Sequence, residues 1–463
     1  MYTFQDLQAV DEKDKMEFLR SAINQYCGTK DYVDAEIADS YFKRQNVTIM
    51  DFQKLLYTVT GKAIPDNYSA NFKLRSNWFP YFVTQLNQYL LSNGVTWREE
   101  STKDRVGKNF DKQLKKAGRN ALIHNVSYGF WNYDHLEVFS KLEFCPFYDE
   151  ENGALCAGVR FWQIDPSKPL RAIFYELDGI TEIIWRKGQP GEIYVPKHSY
   201  TKVVRRSDVD GTEIYDGANY PTFPIVPLWG INRQSELDGR RESIDCYDLI
   251  KSGFANTVDE ASYIYWAIQG AGGMKDMDLA KFVERMKTLH AALVDDEGAR
   301  AEPHQIEAPY ASREALLDRL AKDLHRDFMA LDISNIANGA DTATQIKAAY
   351  ELLDEKASDY EDSVFDFLDG ILAVAGIEED PTLTRSKIVN TAEEISNVLQ
   401  AADSLSPDYV TRKILTLLGD GDLADDIIKE RDAEDMESIN LAPAENTPQA
   451  PEGEEADTYT EEQ

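Results

Sequence analysis

The spacing of apolar residues changes period twice along this 463-residue chain, and that change limits the folds open to it. Residues 31–46 and 71–92 carry apolar groups at three- and four-residue intervals, which predicts amphipathic helices. In the second, Phe72, Phe79, Phe82, Val83, Leu86, Tyr89 and Leu90 form a wide stripe interrupted by Pro80, and Asn93-Gly94 ends it. From Leu136 to about Tyr220 the period becomes two. Alternating runs separated by Asn152-Gly153 and Asp178-Gly179 predict an antiparallel β-meander of about five to seven strands.

From Arg240 the helical period returns. A long helix is expected over about 240–268, with Ile244, Tyr247, Ile250, Phe254, Val258, Ala261 and Tyr265 as its apolar positions, stopped by the glycine-rich residues 270–273. A second begins at Ser312, with Leu316, Leu317, Leu320, Leu324 and Phe328 on one face. Between them, a short helix over 277–290 precedes 291–298 and 302–309, which could pair as a hairpin. Residues 331–341 break the second helix. Capping-box spacing from Thr342 to Gln345 then restarts a helix that runs to about Val374, with Glu351, Asp354, Glu355, Asp359, Glu361 and Asp362 opposite its apolar face. Shorter helices follow, one capped by Thr391 and Glu394 and one opened by Ser406-Pro407. The fold class is therefore α+β and mainly helical. Two long helices flanking a small insertion form either an antiparallel hairpin that needs a neighbouring copy, as in a ring, or an ordinary bundle packed on a β-domain.

Composition excludes several function classes. Asp and Glu number 82 against 49 Lys and Arg, a net charge of −33, which argues against tight wrapping of nucleic acid. Residues 432–463 hold 11 acidic residues and no Lys or Arg and are expected to form a disordered tail, while the rest of the chain still carries a net −22. The one basic run, 103–119, is either a solvated helix face or an electropositive contact for DNA or a neighbouring subunit. No apolar stretch reaches the roughly 18 residues of a membrane helix, the first residues lack signal-peptide features, and the scattered cysteines make a reducing cytoplasm the expected location. Cys27, Cys145, Cys156 and Cys246 show no CxxC spacing, and the six histidines show no i,i+4 pairing, so no disulfide framework, metal or cofactor is expected. Asp208 to Gly211 resembles the start of a calcium loop without its remaining ligands and is expected to be a turn. No Walker loop, dinucleotide fingerprint, nucleophile elbow or HExxH motif occurs, and residues 270–273 follow a helix rather than a strand. No catalytic constellation is visible, and no enzyme activity is expected.

Several ordered segments carry a resemblance. These are residues 71–94; Phe110 to Tyr133; Phe174-Tyr-Glu-Leu-Asp-Gly-Ile-Thr-Glu182; Phe223-Pro-Ile-Val-Pro-Leu-Trp-Gly-Ile-Asn232; Ile244-Asp-Cys-Tyr-Asp-Leu-Ile250; Ser252-Gly-Phe-Ala-Asn256; and Gly339-Ala-Asp-Thr-Ala-Thr-Gln-Ile-Lys347. Together, over roughly residues 35–435, they resemble the portal proteins of tailed bacteriophages, the type found in long-tailed phages of Gram-positive bacteria.

The resemblance implies a wing over 1–235, stem helix 1 over 236–273, a clip over 274–311 and stem helix 2 over 312–330. It further implies a tunnel loop over 331–341, a long wing helix over 342–380 and a crown over 381–431. Such proteins form rings, usually of twelve subunits, at one capsid vertex of the virion, and conduct double-stranded DNA during packaging and ejection. Their implied partners are the terminase large subunit, a head-completion or adaptor protein, and the major capsid and scaffolding proteins, with assembly in the host cytoplasm and no membrane. Asp332, Asn335, Asn338, Gly339, Asp341 and Lys347 are then expected at the DNA channel, and Met277, Phe282, Asp295 and Glu297 at the clip contact with terminase or adaptor. The loop offers no Lys or Arg, which departs from a lysine ring gripping DNA. Another phage ring or scaffolding protein, or an enzyme of unrecognised type, are the rival readings.

Overall fold

A computed structural model describes residues 2–57, 61–66, 69–206, 213–261, 265–269, 300–304, 310–332, 343–386 and 391–431. The chain divides into two compact units, one of residues 1–340 with 347–387 and one of residues 341–346 with 388–463.

The first unit opens with α1 (Phe4–Gln8), α2 (Lys15–Cys27), α3 (Lys30–Phe42) and α4 (Val47–Asp51), followed by a hairpin of β1 (Leu55–Tyr57) and β2 (Ala63–Pro65). Then come α5 (Trp78–Leu91), β3 (Val95–Thr96), α6 (Glu100–Val106) and α7 (Phe110–His124). Pro80 falls in the first turn of α5, where no intrahelical N–H bond is lost, so the helix begins at Trp78 and residues 71–77 are non-helical. The basic run is split at Gly107, whose φ of 84° ends α6. Several of its cations serve the fold: Lys115 donates to Ser92 O (2.7 Å), at the end of α5, and Lys116 to Val138 O (2.9 Å).

The β-region comprises β4 (Val126–Asn132), β5 (His135–Ser140), β6 (Phe144–Tyr148), β7 (Leu155–Trp162), β8 (Leu170–Glu176), β9 (Gly179–Trp185), β10 (Glu192–His198), β11 (Thr201–Arg206), β12 (Glu213–Ala218) and β13 (Ile225–Trp229). Strands β6 to β10 form an antiparallel five-stranded meander in sequence order, while β13, β4 and β5 form a separate three-stranded sheet. The apolar run 136–147 is thus two strands in two sheets, because residues 141–143 turn the chain between them. The calcium-like residues 208–211 lie outside the described residues, between the paired strands β11 and β12.

Leu19, Ala22, Ile23 and Tyr26 of α2 pack with Phe147, Val159, Phe174 and Ile183 of the meander. A second core joins the two sheets through Tyr128, Phe130, Phe139, Phe144, Tyr175 and Ile225. Such side chains contribute about 1.5–3 kcal/mol each on burial.

The unit continues with α8 (Arg241–Ala261), β14 (Tyr265–Gln269), β15 (Arg300–His304), α9 (Tyr310–Asp327), the 33-residue α10 (Ala343–Ala375) and β16 (Thr382–Leu383), which pairs with β3. The helix expected to reach Ile268 therefore ends at Ala261. Residues 265–269 (YWAIQ), rich in aromatic and β-branched side chains, pair instead with 300–304. The hairpin partner expected for 302–309 was 291–298; that segment lies outside the described residues, and 302–304 pair with 265–267. Tyr350, Leu353, Ala357, Tyr360, Val364, Phe367, Leu368 and Ile371 of α10 are buried, and Tyr360 Oη donates to Gly118 O of α7 (2.8 Å).

In the second unit, α11 (Thr391–Gln400) and α12 (Pro407–Leu418) precede helical residues 424–431. Ser406 caps α12, Pro407 opens it, and Gly419 at φ 92° closes it. Residues 432–463 lie outside the described residues.

Candidate functional site

The helix pair α8–α9 and the start of the segment after it form the candidate site. Along one face of α8, Asp248, Ser252 and Asn256 recur at four-residue spacing and are buried. They accept three backbone N–H groups of the extended segment 72–76: Ser76 N to Asp248 Oδ1 (2.8 Å), Leu74 N to Ser252 Oγ (2.9 Å) and Phe72 N to Asn256 Oδ1 (2.7 Å). Four helical residues rise about 6 Å and two extended residues about 6.6 Å, so the two repeats stay in step. Asp248 also accepts a bond from Asn46 Nδ2. Burial pushes its carboxyl above the ordinary value, and the bonds from Asn46 and Ser76 do not offset that. One turn earlier, Asp245 accepts from Tyr41 Oη and Thr48 Oγ1 (2.7 Å) and faces Arg241 at 3.5 Å.

Helix α9 packs on α8 through Phe254 and Tyr310, whose ring centroids lie 5.6 Å apart, and through Arg313, which donates to Thr257 Oγ1 (2.7 Å). After α9 the chain is held tightly. Gln85 of α5 donates from Nε2 to Leu331 O and accepts from Leu331 N at Oε1, both at 3.0 Å. Lys356 of α10 is buried beneath this turn, pairing with Glu236 and donating to Phe328 O (2.7 Å). Burial lowers the Lys356 pKa, with Glu236 opposing the shift. Arg240 lies 3.5 Å from Glu236 and stacks over the Phe328 ring at 5.0 Å. His325 sits edge-on to Trp78, Tyr81 and Phe82, donates from Nδ1 to Ala321 O (2.8 Å), and approaches Asp332 at 4.0 Å.

Among the residues expected at the channel, Asp332 is described: it is half-buried beside His325 and lines a groove with Trp78 and Tyr247. Lys347 lies in the first turns of α10. Asn335, Asn338, Gly339 and Asp341, and the clip residues Met277, Phe282, Asp295 and Glu297, lie outside the described residues. Asp248, Ser252 and Asn256 stand in segments that carry the family resemblance, but no anchoring role was expected of them or of Gln85, Glu236 and Lys356. Their one local signal is the polar i, i+4, i+8 stripe on an otherwise apolar-patterned helix. Among the described residues no cluster of His, Cys, Asp and Glu suits a metal ion, and no helix is long and apolar enough to cross a membrane. The arrangement fixes backbone and helices against one another; it brings together no nucleophile and base.

The chain matches the family described as "Phage portal protein, SPP1 Gp6-like" over residues 25–436. The portal protein of Bacillus phage SPP1 is 22% identical over 402 residues, covering 75% of this chain and 73% of that protein. The portal protein of Clostridium phage phiCD119 is 27% identical over 176 residues, covering 35% of this chain and 38% of that protein's length. Among solved structures, a chain of the neck of an empty gene transfer agent particle, computed with C6 symmetry, aligns at TM-score 0.45 and 12% identity over 74% of this chain and 90% of that one. A chain of the native gene transfer agent virion aligns at TM-score 0.43 and 12% identity over 74% of this chain and 89% of that one. With the family match extending from the second N-terminal helix to just past the last described residue, the chain belongs to the phage portal protein family, SPP1 Gp6-like.

Proposed function

We propose that the protein is the portal of a tailed phage, assembling as a ring, of twelve copies in the capsid, at one vertex and conducting double-stranded DNA in packaging and ejection. Terminase and a head-completion protein dock on it in turn, and capsid and scaffolding proteins surround it. The observation that carries this reading is the family match over residues 25–436. On this reading α8 and α9 are the stem, the segment after Leu331 is the tunnel loop and α10 is the long wing helix. The protein works as a structural conduit without catalysis of its own.

The charge arrangement supports passive conduction. On α9, Arg319 and Arg326 both approach Asp323, at 3.8 and 2.9 Å, and Arg313 is engaged by α8. Lys322 of α9 is exposed without an ion pair among the described residues, but a lone cation among engaged ones offers little to a passing phosphate backbone, whose tight binding needs clustered free Lys and Arg. Net negative charge, multiplied around a ring, repels DNA within about 8 Å of the wall at physiological salt and keeps it from sticking.

Negative-stain imaging of the purified full chain tests the reading, with rings enclosing a hole of duplex width as the expected result. Deleting 333–340 is expected to abolish packaging while leaving the two units folded; packaging at the normal rate after that deletion refutes the role given to the loop.

A further inference from the structure

A groove of about 570 Å³ opens beside the start of the tunnel-loop segment, between the N-terminus of α5 and the α8–α9 pair. Its walls carry Arg75 and Lys251 around the rings of Trp78 and Tyr247, with His325 and Asp332 at one side. Neither Arg75 nor Lys251 has a carboxylate partner among the described residues; Lys251 has only the Tyr247 ring, 5.8 Å away. Two further donors are idle there. Ser76 Oγ, on a residue only 6% exposed, and Trp78 Nε1 are buried without hydrogen-bond partners. Two cations without a carboxylate partner among the described residues, against the single carboxylate of Asp332 in the groove lining, leave the groove net positive and suit a carboxylate-bearing visitor.

The complementary surface is on α10. Glu351, Glu355, Asp359, Asp362, Asp366 and Asp369 recur at three- and four-residue spacing, are exposed, and make no ion pair among the described residues. Like charges at such spacing destabilise a helix by themselves. The nearest cation on this helix's surroundings, Arg385, is taken by Asp354 (2.9 Å) and Glu361 (2.5 Å) on the flank of the stripe.

Helix α5 holds the edge of the groove and the first turns of α10 about one turn apart. Gln85 holds Leu331, and one turn further along α5 Tyr89 stacks on Tyr350 (5.6 Å) and donates to Asp354 (2.5 Å), a step of about 6 Å along the helix. Rotation about a ring axis keeps each residue at its own height, so a groove at that level meets the same level of the next copy in a head-to-tail contact. We propose that Glu351 and Glu355 of one copy dock into the Arg75–Lys251 groove of its neighbour, forming a charge-matched latch between adjacent subunits. The proposal rests on the ring reading above and names one contact within it.

The test uses full-length chain, prepared in isotopically light and heavy forms, mixed before assembly and treated with a zero-length carbodiimide cross-linker. Mixed-isotope cross-links from Lys251 to Glu351 or Glu355 are the expected result. The pair Arg75→Glu/Lys251→Glu is expected to raise the concentration needed for half-assembly by about tenfold, and adding Glu351→Lys/Glu355→Lys to recover it. Arg75 and Lys251 make no ion pair, so the variant monomer should keep the parent melting temperature; rescue by the compensating pair separates lost docking from lost fold. Wild-type rings with same-isotope cross-links alone, or normal assembly of the charge-reversed variant, overturn the latch and leave the ring reading standing. If the unmodified chain forms no ring under any assembly condition, the ring reading fails and the latch with it.

Discussion

The side-chain amide of Gln85 satisfies both backbone polar groups of Leu331, accepting from its N–H and donating to its C=O at 3.0 Å each. An amide held this way imitates one rung of a β-ladder, and it fixes the chain at the last described residues before 333–340. Gln85→Leu leaves the Leu331 N–H without its partner and its C=O with only the longer bond from Tyr81 Oη (3.4 Å), beside the buried Leu331 side chain, at a cost of about 1–3 kcal/mol. Urea unfolding reads that loss, and hydrogen exchange at the Leu331 amide should accelerate in step. Gln85→Glu keeps the acceptor for Leu331 N–H and should lose the donor half alone.

The buried pair Lys356–Glu236 predicts an asymmetry. Lys356→Met leaves Glu236 with Arg240 at 3.5 Å, whereas Glu236→Leu leaves a buried ammonium with only the Phe328 carbonyl. Removing one member of a buried pair costs about 3–5 kcal/mol, and Glu236→Leu should fall at the upper end. Thermal or denaturant unfolding of the two variants and of the double replacement checks this, with the double expected to recover much of the loss.

Asp248 gives a pH dependence of definite sign. Its folded pKa is raised above the ordinary 3.8 by burial, so the folded state holds the proton more tightly than the unfolded chain. The resulting contribution is fully present below the unfolded pKa and fades as pH rises through the raised folded value. Asp248→Asn should remove that slope from a plot of unfolding free energy against pH, in the window that opens at the ordinary 3.8 and extends upward. An unchanged slope in the variant means the shift does not govern stability there.

Gly129 of β4 lies against Phe367 of α10, where a built Cβ comes within 2.6 Å of the ring's Cε2. Phe367 is 1% exposed and cannot swing away. Gly129→Ala should therefore destabilise the first unit by about 1–3 kcal/mol through overpacking, measured as a lowered denaturation midpoint with an unchanged slope. Pairing it with Phe367→Leu should restore part of the loss, since the smaller side chain vacates the space the methyl group needs.

Local pattern carried a large share of the architecture. Asn152-Gly153 and Asp178-Gly179 announce hairpins because few residue pairs accept the backbone angles of such turns, and both hairpins are present. The 33-residue α10 is legible for a similar reason, since its apolar residues repeat at one helical interval from Ile346 to Ile371. The end of α8 was not legible. Apolar Tyr265 and Ile268 continue the helical spacing of residues 244–261, and only the pairing of 265–269 with 300–304, some thirty residues away, selects a strand. Residues 72–76 show the same competition: Phe72 fits the stripe of α5, but the buried acceptors of α8 claim the backbone N–H groups and hold the segment extended.

The sequence by itself determined the class of the protein, its alternation of helical and β regions, its acidity and the absence of familiar catalytic motifs, because periodicity, turn chemistry and composition are local properties. Only the tertiary structure decided which polar residues are buried and what each one holds. Asp248, Lys356 and Gln85 look like ordinary surface residues in one dimension. Their roles arise from partners 172, 120 and 246 positions away, and no local pattern encodes a distance through space.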